Sequence, residues 1–84
     1  MQLVNQAFSI FDTKTGAWNA PFFQPNETAA MRMVSLVMDG DNMLSKNPGD
    51  FQVYLIGQFS AESGILVGLT TPKFVCSLRE IAEV

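Results

Sequence analysis

The chain has 84 residues, a net charge of −3 from eight acidic against five basic residues, no histidine, and one cysteine, Cys76. That length holds one small domain, residues 1–84, and a hydrophobic share of 48% is too apolar for a disordered chain. The composition excludes an intramolecular disulfide, a His- or Cys-rich metal site and every mechanism that needs a histidine base.

Gln6–Asp12 alternates as a first strand, with Phe8 and Ile10 turned to the core and Ala7, Ser9 and Phe11 on the other side. Asp12-Thr13-Lys14-Thr15-Gly16 is turn chemistry, and a short strand Ala17–Asn19 returns from it. Pro21–Pro25 is expected to be extended, because the residue before a proline is pushed out of the helical region. Asn26 then suits an N-cap, with Glu27 favoured in the first turn. From Glu27 to Met38 the spacing is helical: Ala30, Met33, Val34 and Val37 form a stripe that Met31 and Met38 widen, and Gly40 supplies the stop.

Asp41–Asp50 reads as a polar connection with a Pro48-Gly49 turn, Met43 and Leu44 folding back on the helix. Phe51–Leu69 is the strongest hairpin signal, two β-rich runs around Ser60-Ala61-Glu62-Ser63-Gly64. In its first run Phe51, Val53 and Leu55 share one face and Gln52, Tyr54 and Ile56 the other, which predicts a central strand covered on both sides. Gly57 marks a bulge or a close backbone approach, and Gly64 a loop end with positive φ. Thr71-Pro72 has the form of a helix start, with Phe74, Leu78, Ile81 and Ala82 at helical spacing; a strand over Phe74–Leu78 is the alternative. The expectation is an α+β single domain: an antiparallel sheet of three to four strands packed against one main helix, with a short C-terminal helix.

Cys76 reads as a small buried apolar residue. No charged segment precedes a long apolar run, and no apolar run reaches ~18 residues, so a soluble protein of a reducing cytoplasm, without a membrane, is expected. A domain this small, with no cross-link, gains from self-association, most simply as a homodimer.

FSIFDTKTGAW (Phe8–Trp18), PFFQPNETAAMR (Pro21–Arg32), NPGDFQVYLIGQF (Asn47–Phe59), ESG (Glu62–Gly64) and TPKF (Thr71–Phe74) occur in this order over nearly the whole chain. In these landmarks the chain resembles the small non-structural protein of gokushoviruses, single-stranded DNA bacteriophages of the Microviridae. It departs in a few extra N-terminal residues and in Ser60, where an acidic residue is expected. The resemblance implies a DNA-binding accessory role in phage genome synthesis or packaging, in the host bacterial cytoplasm. It implies no active site.

Under that reading, exposed rings would stack on bases while basic side chains follow the phosphates. The candidate residues are Phe11, Lys14, Trp18, Arg32, Tyr54 and Lys73. Trp18, beside a turn, and Phe11, opposite in sense to Ile10, are the best placed. For Phe8, Phe22, Phe59 and Phe74 the core is the ordinary place, and scattered basic residues are ordinarily solvated charges. The acidic balance supports a second reading, a module that docks on the viral replication protein or on capsid proteins of the procapsid without touching DNA. No enzyme, cofactor or metal is expected: Asp39-Gly40-Asp41-Asn42 resembles part of a calcium loop but lacks the closing glutamate, and reads as a polar turn.

Overall fold

The computed structural model describes residues 4–82, so the two ends of the expected 1–84 domain lie outside the described residues. The order is β1 (Val4–Asp12), β2 (Ala17–Trp18), β3 (Phe22–Gln24), α1 (Glu27–Met38), α2 (Met43–Lys46), a 3-10 turn (Pro48–Asp50), β4 (Phe51–Ser60), β5 (Leu66–Ser77) and α3 (Leu78–Ala82). The sheet is antiparallel in the order β2-β1-β4-β5, with β3 on the same side of β1 as β2 but further along it. It is an α+β domain, a curled sheet with one main helix and a short C-terminal one, as the pattern predicts.

Alternation along β1 and β4 decides the core. Phe8 stands opposite Leu55 and Ile10 opposite Val53, and these four side chains meet Ala30 and Val34 of α1, Phe51, Cys76 and Leu78. Phe8, Val53 and Leu78 have no exposed surface. Full burial of each contributes about 1.5–3 kcal/mol. α1 begins where Asn26, in extended conformation, accepts a hydrogen bond from the Ala29 amide at 2.8 Å. Its buried line is Ala30 and Val34, flanked by Met31 and Met38. Val37 is exposed, contrary to the expected stripe, because the Ala30–Val34–Met38 line sets the contact and Val37 falls to its flank.

Three further expectations change. The connection after α1 contains α2, capped by a reciprocal pair in which Asn42 and Ser45 each accept the other's amide. Leu44 packs on the core, but Met43 is exposed. The tail does not turn helical at Thr71-Pro72: β5 continues to Ser77 and the helix is confined to Leu78–Ala82. Pro72 fits there because β5 is an edge strand, where a missing amide donor is tolerated. β4 is central in the sheet but covered on one side only, since the single main helix spans one face.

Gly57 sits at the irregularity in the β4–β5 ladder, where four residues of β5, Leu69–Pro72, stand against Ile56. A Cβ there would strike the Val67 carbonyl and the Gly68 backbone. Gly64 closes the β4–β5 turn at φ 75°. Cys76 is buried, and burial, with Glu80 and Glu27 nearby, pushes its thiol up to about 11.

Candidate functional site

The face of the sheet away from α1 carries a row of rings, and strand alternation puts them there. Phe11 lies on that side of β1 and is directly opposite Trp18 of β2. Tyr54 lies on the same side of β4, opposite Ser9 of β1 and Phe74 of β5. Each of the four strands β2, β1, β4 and β5 thus contributes one ring. Their centroids are 4.6 Å apart for Phe11–Trp18, 5.0 Å for Trp18–Tyr54, 6.1 Å for Phe11–Tyr54 and 5.6 Å for Tyr54–Phe74. These are ordinary spacings for tilted and edge-on aromatic pairs. At ~4.8 Å between strands the row runs about 14 Å across the sheet.

The row is only partly sheltered. Trp18 is 44% and Phe74 48% exposed, while Phe11 and Tyr54 are half-buried between them. The Tyr54 hydroxyl donates to Gln52 Oε1 at 3.0 Å, which fixes its ring within the row. Among the hydrogen bonds that hold the hairpin bearing Phe11 and Trp18, Asp12 Oδ1 accepts from the Lys14 amide at 2.9 Å and Ser9 Oγ donates to the Asn19 carbonyl at 2.7 Å. Lys14 stands exposed at the tip of that hairpin.

Towards the other end of the same face, Phe23 and Phe59 lie 5.8 Å apart. Beside Phe23 is an apolar cleft of about 220 Å³ lined by Ala7, Pro21, Ile56, Gly57 and Leu66.

Of the six candidate residues, the fold brings Phe11, Trp18 and Tyr54 into one cluster with Lys14 next to it. Arg32 and Lys73 are not brought there. Arg32 is on α1, beside Gln24 and Leu36 in a groove on the helix side, and Lys73 pairs with Glu27 at the start of α1, 3.6 Å away. Its spacing with Leu78 predicts a core place for Phe74, yet Phe74 completes the ring row. The strand alternative for Phe74–Leu78 carried that signal. Phe59 is half-buried beside Phe23, and Phe8 and Phe22 pack in or against the core as expected. Among the described residues, no group of three or more acidic or cysteine side chains could hold a metal ion, and no helix is long and apolar enough to cross a membrane.

A family model described as Phage ORF5 protein matches residues 5–81. No curated protein and no solved structure matches the chain.

Proposed function

This chain belongs to the phage ORF5 protein family, and we propose that it is a gokushovirus accessory protein that holds single-stranded DNA on its helix-free aromatic face. It would act in the host bacterial cytoplasm during genome synthesis or packaging, without catalysis or a cofactor. The observation that carries this reading is the row Trp18–Phe11–Tyr54–Phe74, four rings on an open face. Unpaired bases have free π-faces to lay on such rings, whereas a duplex keeps its bases stacked on each other.

The electrostatics give this reading a particular form. Lys14 is the basic side chain on the hairpin that carries Phe11 and Trp18, so stacking supplies most of the affinity and phosphate contacts little. For single strands the logarithm of affinity falls with log salt at about 0.7 per phosphate contact. A shallow slope, near one contact per chain, is therefore expected.

The test is fluorescence anisotropy of a labelled oligothymidine with Trp18→Ala and Phe74→Ala. Each removed ring should weaken binding about 5- to 150-fold, from ~1–3 kcal/mol of stacking, with the folded state intact. Unchanged affinity in the double variant would remove the row from the site.

Charge favours a second reading. Lys46 is paired with Asp41 at 3.3 Å and Lys73 with Glu27, which leaves the ring row with little to offer a phosphate chain. An apolar patch on the viral replication protein or procapsid would suit such a face. Capture of those proteins that survives nuclease treatment distinguishes this docking role.

A further inference from the structure

The outer edge of β5 has no strand beside it among the described residues. It is a long edge of twelve residues, and natural proteins ordinarily protect such edges with charges or prolines. Here Gly64 to Thr71 carries no charge at all. Within it Ile65, Leu66 and Val67 are 57–59% exposed and Leu69 is 42% exposed. The devices that do protect the edge, the irregularity over Leu69–Pro72, Pro72 itself and the charge on Lys73, lie towards its end and leave Gly64–Gly68 without one.

We propose that two copies of the chain pair β5 to β5, antiparallel, across a two-fold axis that passes through Gly68. The sequence of the edge is complementary to itself in that register. Val67 stands opposite the partner's Leu69, an apolar pair made twice about the axis, and Leu66 stands opposite the β-branched Thr70 of the partner. Glu62 and Lys73 flank the stretch with opposite signs, so antiparallel pairing turns the acidic end of each copy's stretch towards the basic end of its partner's, where Lys73 is already paired with Glu27 of its own chain. Pro72 falls opposite the partner's Gly64, in the turn and beyond the ladder, where its missing amide costs nothing.

Antiparallel pairing about an axis normal to the sheet keeps each face on its own side. The two ring rows would then lie on one continuous surface. That consequence rests on the DNA reading above; the pairing does not.

Sedimentation velocity on the whole chain tests it. The expected species has twice the 9.2 kDa monomer mass. Val67→Lys with Leu69→Lys sets four like charges around the axis and should weaken association about tenfold or more. Circular dichroism and Trp18 fluorescence report the fold of each variant. A wild-type chain that stays monomeric at high micromolar concentration overturns the proposal, as does a dimer indifferent to the lysine pair in a folded chain. A lysine-sensitive dimer that binds no DNA supports the pairing and removes only the shared surface.

Discussion

Gly57 and Gly68 face each other across the β4–β5 ladder, yet alanine should have opposite consequences at the two. At Gly57 the added carbon meets the Val67 carbonyl oxygen, with Gly68 Cα at 3.2 Å and the Val67 carbonyl carbon at 3.3 Å. All three are backbone atoms, so no side chain can swing aside and the strands must separate. Overpacking of this kind costs about 1–3 kcal/mol, offset by about 0.4–1 kcal/mol from the stiffer unfolded chain. The net loss is about 1–2 kcal/mol, or roughly 5–15 °C in melting temperature for a domain of this size. At Gly68 the nearest atom, the Ile56 carbonyl oxygen, is 3.9 Å away, an ordinary contact, so Gly68→Ala should be neutral or slightly stabilising. Urea unfolding followed by Trp18 fluorescence, at low protein concentration, reads both. A Gly57→Ala chain as stable as wild type, or an equal loss at Gly68, would refute the close approach of β5 to Gly57.

Asn26→Ala removes the acceptor for the Ala29 amide and should cost about 1 kcal/mol of stability, with Asn26→Ser recovering most of it in the same urea assay. Cys76 gives a pH signature. Its thiol titrates at an ordinary 9.0 when unfolded and at about 11 when folded, so the folded chain holds the proton more tightly. The stabilisation is complete below pH 9.0 and is lost as pH rises towards 11. Wild type should therefore lose more stability over that window than Cys76→Val, with equal losses counting against a buried thiol. A thiol reagent at neutral pH should label Cys76 only as fast as the chain opens, and fast labelling of the folded protein would contradict its burial.

Much of the fold is legible because local chemistry and tertiary packing agree there. Asn26, Glu27 and the apolar spacing that follows mark α1 from cap to end, and the alternation in Gln6–Asp12 and Phe51–Ile56 sorts both central strands into the correct faces. The tail was harder to read. Thr71-Pro72 carries a real helix-start signature, but Pro72 is equally at home on an outer strand, and only the sheet order reveals that β5 is outermost. α2 escaped because a single turn has no periodicity; its trace is the Asn42–Ser45 spacing, with serine in place of the usual glutamate. The candidate site was half legible. The alternation separates Phe11 from Ile10 and Tyr54 from Val53, but bulky residues on both faces of β4 predict two covers. One main helix supplies one cover, and the second face became the ring row. Charge alone marks Arg32 and Lys73, and charge says nothing of which side of the sheet a residue occupies.

The most direct test of the DNA-binding proposal uses Trp18, the chain's single tryptophan, as its own reporter. Unlabelled oligothymidine titrated into the wild-type protein should quench Trp18 fluorescence to saturation, with little loss as salt rises, while a duplex of equal length does so far less. Trp18 fluorescence that ignores the single strand at every salt concentration, or that responds equally to the duplex, would contradict a base-stacking face and turn attention to protein partners.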